Sequence, residues 1–234
     1  MRVAIKQLLP GLYAIGLGTV NTFLIDDGGA LTLIDTGMSG SEKPILAAIG
    51  EIGRAPRDVR NILVTHCHPD HAGGLAALKE ATGAEAWMHP ADAALVRVGS
   101  ASRPAKVAPG LLNSILYRMF IGSAPGTVAP VSVEHEVVDG DEIPLAGGLR
   151  AIHAPGHCAG QLAMLWPRHG GVLFAADTCS NMIGLAYSVI YEDLELGKRS
   201  LRRLGEEAFA NAVFGHGRPI IGGALERWRR KWGA

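Results

Sequence analysis

An excess of charge of either sign is missing from this chain: Lys plus Arg and Asp plus Glu are equal at 22 each, so its 234 residues carry zero formal net charge. A neutral surface offers no global field for nucleic acid or an anionic membrane and points to a small or neutral ligand. Cysteine is scarce as well. Cys67, Cys158 and Cys179 make an odd number, which argues against a disulfide scaffold and fits a reducing compartment. No uninterrupted apolar stretch approaches the ~20 residues that a membrane helix needs. The first apolar run is broken by Lys6 and Gln7 and offers no small-residue cleavage site, which argues against a secretory signal. A cytoplasmic, soluble protein is expected, with a small-molecule substrate and neither nucleic acid nor membrane as partner. At 48% hydrophobic residues the chain can bury a sizeable core as one domain (1–234), although two small domains also fit the length.

What is present is histidine in a pattern. Five of the nine histidines and two aspartates fall into four clusters: His66-Cys67-His68-Pro69-Asp70-His71, then His157, Asp177 and His216. These potential ligands suffice for two metal sites. An extended segment directs residues i and i+2 to one side, so His66 and His68 can grip one ion together. Asp70 and His71 stand where the chain turns into the apolar-periodic run 72–81, and can face a second, adjacent ion. Plainer roles exist for each residue. Asp70 could cap the helix that follows it, and His157 or His216 could be satisfied polar residues at turns. The three cysteines could be small fillers behind the site, or soft or redox-sensitive ligands. Coordinated placement of all the clusters favours the metal reading over separate coincidences.

Short β-rich runs at 11–17, 21–26 and 30–35, separated by Gly or Asp turn signals, predict an antiparallel meander. A helix is expected over 42–52, with Ile45, Leu46, Ile49 and Ile52 on one face. A buried strand over 59–64 then delivers the chain to His66, followed by a helix over 72–81 and a strand over 85–88. Further strands are expected at 131–138, 149–153, 161–166 and 171–175, and helices at 193–210 and 224–231. Strands and helices thus alternate in both halves, with each ligand cluster at a strand end. The segment 99–130 begins and ends in Ser, Ala, Pro and Gly, but carries Leu111, Leu112, Ile115, Leu116, Met119 and Phe120 at helical spacing. Two readings of it are open: a helical lid that roofs the cleft and meets an apolar part of the substrate, or a stripe packed on the domain or on the second subunit of a homodimer.

With Ala154-Pro155-Gly156-His157, Ala175-Ala176-Asp177-Thr178 and Gly215-His216-Gly217 added to the first motif, and Leu33-Ile34-Asp35-Thr36-Gly37 before it, the chain resembles the metallo-β-lactamase superfamily over roughly residues 10–220. The resemblance implies an α+β fold, a four-layer αββα sandwich with the metals at one edge and a helical insertion at 99–130. It implies that His66, His68 and His157 hold a first metal, that Asp70, His71 and His216 hold a second, and that Asp177 bridges them. The cofactors it implies are two divalent ions, zinc first, with iron or manganese accepted by the same ligand types. Between such ions a bridging water becomes hydroxide near neutral pH, and Asp70 is the candidate to pass a proton to the leaving group. Asp35, in its Asp-Thr-Gly turn, either orients a ligand imidazole or simply forms the turn.

The carboxylate at 177 narrows the reaction. Members of this family that destroy β-lactams typically carry Cys or Ser there, whereas thioesterases of the glyoxalase II type and lactonases carry Asp. A dinuclear metal-dependent hydrolase of a small ester, thioester or lactone is therefore expected. The competitors are an iron-dependent persulfide dioxygenase-like oxidoreductase, and β-lactamase or phosphodiesterase activity on the same centre. Glyoxalase II usually carries a basic helical extension that binds glutathione after the last ligand; with 18 residues following His216, a glutathione-specific site is not expected. Tyr187 and Tyr191 could enter the cleft from the loop before the last long helix, or serve as packing residues. The Trp and Arg residues of 227–232 read as tryptophans anchored to the core beside a solvated basic face.

Overall fold

The computed structural model describes residues 4–122 and 125–233; residues 1–3, 123–124 and 234, of which two fall in the expected insertion, lie outside the described residues. Alternation of side chains along the strands sets the layers. In strand Asn21–Asp26, Phe23 and Ile25 face one way and Leu24 the other; in Leu162–Trp166, Leu162, Met164 and Trp166 oppose Ala163. The first set from each strand meets in a shared core between two sheets, with Leu12, Ile34, Leu63, Phe174 and Val213. The opposite faces need cover from helices. Leu24, Leu33 and Ile62 pack against Ile45 and Ile49 of helix Glu42–Glu51 and Leu75 and Leu78 of helix Leu75–Thr82. Ile152, Ala163 and Leu173 pack against Leu201 and Leu204 of helix Leu194–Leu204 and Trp228 of helix Ala224–Trp232. The result is the αββα sandwich.

One sheet has seven strands in the order Ile5–Leu9, Leu12–Gly16, Asn21–Asp26, Leu31–Ile34, Val59–Leu63, Glu85–Met88 and His135–Glu136. It begins as an antiparallel meander and becomes parallel from Leu31–Ile34 onward. The other has five, Asn211–Phe214, Val172–Ala176, Leu162–Trp166, Leu149–His153 and Glu142–Ile143, antiparallel except for the first pair. Among the described residues no helix is long and apolar enough to cross a membrane.

Several expected elements differ from those observed. The helix expected over 72–81 is two, Pro69–Ala72 and Leu75–Thr82, broken at Gly73-Gly74. The break has a packing cause: a Cβ on Gly73 would stand 2.2 Å from Pro69 O, and one on Gly74 2.4 Å from Thr36 O, where the Asp35–Gly37 turn presses against the helix start. The strand expected over 131–138 shrinks to His135–Glu136, because the Glu134 carboxylate accepts the Ala86 N–H (2.9 Å) and the Lys79 ammonium ahead of the ladder. The helix expected over 193–210 ends at Leu204 and gives way to strand Asn211–Phe214, an apolar run too short to be distinguished from a helix end by periodicity. Strand Ile5–Leu9 and helix Pro90–Arg97 are additional elements. Within 99–130, helix Leu111–Leu116 continues into a π-helical turn, Tyr117–Ile121, and neither contains a buried residue.

Candidate metal centre

The ligand clusters each follow the end of a strand, Val59–Leu63 in one sheet and Leu149–His153, Val172–Ala176 and Asn211–Phe214 in the other. His66 and His68 lie beyond Val59–Leu63, with Asp70 and His71 in the short helix started by Pro69. His157 follows Leu149–His153, Asp177 directly follows Val172–Ala176, and His216 lies two residues past Phe214. Three overlapping groups result: His66, His68 and His157; His66, His71 and Asp177; and Asp70, His71 and His216, each with its donor atoms within 4.8 Å of one another.

Hydrogen bonds set which nitrogen of each ring faces inward. His157 Nδ1 donates to Ile190 O (2.8 Å) and His216 Nδ1 to Thr19 O (2.7 Å), which turns each Nε2 inward. His71 Nδ1 donates to Asp35 Oδ2 (2.8 Å). Thr65 Oγ1 lies 2.9 Å from Asp35 Oδ2 and 3.0 Å from His66 Nδ1; its one proton goes to the carboxylate, so it accepts from His66. Asp35 therefore orients two ligand imidazoles, His71 directly and His66 through Thr65, in addition to forming the turn. Its backbone is left-handed, φ 64°, as is that of Ala176 (φ 46°) just before Asp177. These two strained non-glycine positions both aim a carboxylate at the centre.

The inward atoms fit a metal. His66 Nε2, His71 Nε2 and Asp177 Oδ1 are buried without a hydrogen-bond partner. His68 Nδ1 and His157 Nε2 face each other at 2.9 Å. Asp177 Oδ2 lies 3.1 Å from His216 Nε2 and 3.7 Å from His157 Nε2, while its Oδ1 lies 3.5 Å from His71 Nε2. One carboxylate thus reaches toward both halves. Nitrogen donors with two carboxylates suit a divalent transition ion or zinc.

Electrostatics divide the site. Burial, with His71 nearby, keeps His66 well below its ordinary value, and burial with His157 pushes His68 down to about 3. His157 is lowered by burial despite Asp177. Burial also opposes charge on His71, but Asp70, Asp177 and Asp35 outweigh it and raise that ring to about 9; His216 rises for the same reason beside Asp177 and Asp70. Burial favours the neutral forms of Asp70 and Asp177, yet these histidines hold both carboxyls far below 3.8. One half offers neutral imidazoles, and the other pairs carboxylates with protons that a divalent ion would displace.

Gly215 shows how tight the packing is. A Cβ there would stand 2.2 Å from Asp177 Oδ1 and 2.7 Å from His71 Cε1. Gly215→Ala is expected to weaken divalent-metal affinity about 10–100-fold, measured by competition with a chromophoric chelator. Unchanged affinity would remove Asp177 and His71 from the ligand set.

His68, Asp70, His157, Asp177 and His216 line the floor of a cleft of about 640 Å³, with residues of the insertion along its wall. Tyr187 reaches this cleft, its ring also lying 4.9 Å from that of Trp232. Tyr191 takes the packing alternative: the side chain is buried, and its hydroxyl donates to Thr178 O (2.7 Å) and accepts from Ser188 N (3.1 Å). It props the His157 loop, ring edge to ring at 5.9 Å. Among the described residues, no cysteine belongs to the three groups that the candidate ligands form. Cys67 and Cys158 converge with Asp92, and burial pushes the Cys158 and Cys179 thiols up.

Asp92 is the residue the sequence reading missed. Fully buried, it accepts from Cys67 N (2.9 Å), Gly160 N (3.0 Å), Cys158 Sγ (3.1 Å) and Arg103 (2.7 Å), tying the two ligand-bearing loops to each other and to the insertion. The available signal was His89-Pro90-Ala91-Asp92, a proline at a helix start with an acid in the first turn.

The model of the metallo-beta-lactamase superfamily matches residues 15–216. The chain is 37% identical over 128 residues to a hydroxyacylglutathione hydrolase of Anaeromyxobacter dehalogenans, covering 54% of this chain and 47% of that protein. It is 27% identical over 202 residues to the thioesterase pkgB of Emericella nidulans, covering 86% and 46%. The chain thus spans less than half the length of each of these curated relatives. Among solved structures, a metallo-β-lactamase of Cronobacter sakazakii superposes with a TM-score of 0.72 at 24% identity, covering 91% of this chain and 77% of that one, a likeness of fold. With the family model matched across all four ligand clusters, this chain belongs to the metallo-β-lactamase superfamily.

Proposed function

We propose that the protein is a dinuclear metal-dependent hydrolase of a small carbonyl substrate, an ester, thioester or lactone. The observation that carries this reading is the pair of ligand groups, His66/His68/His157 and Asp70/His71/His216, with the Asp177 carboxylate between them, near His157 on one side and His71 and His216 on the other. Two divalent ions held there, zinc in our reading, would supply Lewis acidity and bring the pKa of water from 15.7 to about 7. The chain's residues do the rest. Asp35 and the carbonyls of Ile190 and Thr19 fix the ring orientations. Asp70, a carboxylate at the cleft, is placed to take the proton of the attacking water and hand it to the leaving group. The hydroxyacylglutathione hydrolase and thioesterase among its relatives support acyl transfer to water.

The test is a panel of esters, thioesters, lactones, β-lactams and phosphodiesters on protein of measured metal content, with His68→Ala as control. Carbonyl esters or thioesters turned over by the two-metal form, with at least ~10²-fold loss in the control, are expected. One iron per chain with oxygen uptake on a persulfide would overturn the reading.

A further inference from the structure

We propose, building on the hydrolase reading, that the substrate's acyl part is a neutral apolar chain seated against the insertion helix. Leu112, Leu116 and Phe120, at i, i+4 and i+8, all line the cleft that has the ligand cluster as its floor. Met182, Ile183 and Val189 line the same cleft. Core packing does not account for this stripe, since no residue of Leu111–Leu116 or Tyr117–Ile121 is buried and Leu112 and Phe120 are 50% and 56% exposed. Apolar side chains that line a cleft and remain half in water gain from an apolar occupant.

Charge narrows the class further. Among the described residues the one Lys or Arg lining the cleft is Arg103, whose guanidinium is engaged by Asp92 (2.7 Å), Glu192 (3.3 Å) and Ala91 O. The wall therefore has no uncommitted cation to hold a carboxylate- or phosphate-bearing acyl group, while Leu112, Leu116 and Phe120 offer only apolar surface. Chain length and neutrality, not an anionic handle, would set selectivity.

Two measurements on the metal-loaded protein test this. Binding of methyl ketones of increasing chain length, which mimic the ester but cannot be hydrolysed, is followed by calorimetry. Turnover is compared for acetyl, hexanoyl and octanoyl nitrophenyl esters and for a glutaryl ester with a terminal carboxylate. Ketone affinity is expected to rise about two- to fourfold per methylene, and kcat/KM at least tenfold from acetyl to octanoyl. Leu116→Asp and Phe120→Asp, on a helix without buried residues, should flatten both series. A flat ketone series overturns the acyl pocket even if acetyl ester is hydrolysed, and so does a steep series unaffected by either substitution. A glutaryl ester preferred tenfold over hexanoyl overturns it as well. A steep, substitution-sensitive ketone series with no ester hydrolysed would uphold the pocket and sink the hydrolase reading alone.

Discussion

Asp177→Asn is expected to lower kcat/KM by about 10²–10³-fold or more and to drop the bound divalent metal from two equivalents per chain to one or none. The amide keeps the shape of the carboxylate, so sterics do not confound the change. What it removes is the negative charge that reaches both halves: Oδ1, buried without a partner 3.5 Å from His71 Nε2, and Oδ2, 3.1 Å from His216 Nε2 and 3.7 Å from His157 Nε2 in the other half. The carboxyl is ionised in the folded protein, held far below 3.8 by His216 and His71 against its burial. Neutralising it leaves Asp70 as the remaining cleft carboxylate among the ligands, too little charge to balance two divalent ions in a buried site. Elemental analysis after dialysis and steady-state kinetics read the two effects together. Two retained equivalents with undiminished kcat/KM would refute the bridging role.

That these histidines and aspartates gather at one place was legible in part, since an i, i+2 pair on an extended segment and donors just past apolar runs can be read from spacing, while their division between two ions was implied by the family resemblance. Asp35 was half legible: its turn marked it as a candidate, but its grip on His66 depends on Thr65 donating in one direction and accepting in the other, which three-dimensional placement alone reveals. Strand Asn211–Phe214 was hidden because three apolar residues after a helix carry no period of their own. For Tyr191 the sequence left a cleft role and a packing role both open, and the folded chain, which turns its hydroxyl back onto Thr178 and Ser188, decides for packing. Asp92, more than twenty residues from any ligand cluster in sequence, gave no spacing signal for the loops it would join.

That distant residue carries the largest expected effect on stability. Asp92→Ala is expected to destabilise the fold by about 3–5 kcal/mol, a Tm lower by roughly 6–20 °C for a chain of this size. The carboxylate receives two backbone N–H groups, a thiol and a guanidinium, and its truncation leaves the Cys67 and Gly160 amides buried without acceptors. The same loss should loosen metal binding, because Cys67 lies between His66 and His68, and Cys158 adjoins His157. Linkage gives the effect a pH signature. Burial raises the Asp92 pKa, but Arg103, Cys158 and the Cys67 amide outweigh burial and bring it below 3.8. A folded pKa below the unfolded one contributes stability that is present above the unfolded value and is lost as pH falls through the folded one. The gap in unfolding free energy between wild type and Asp92→Ala should therefore be full at pH 7 and begin to narrow below about pH 4. Denaturant unfolding across that range measures it. A gap under about 1 kcal/mol at pH 7, with unaltered metal affinity, would show that the two ligand loops hold their places without Asp92.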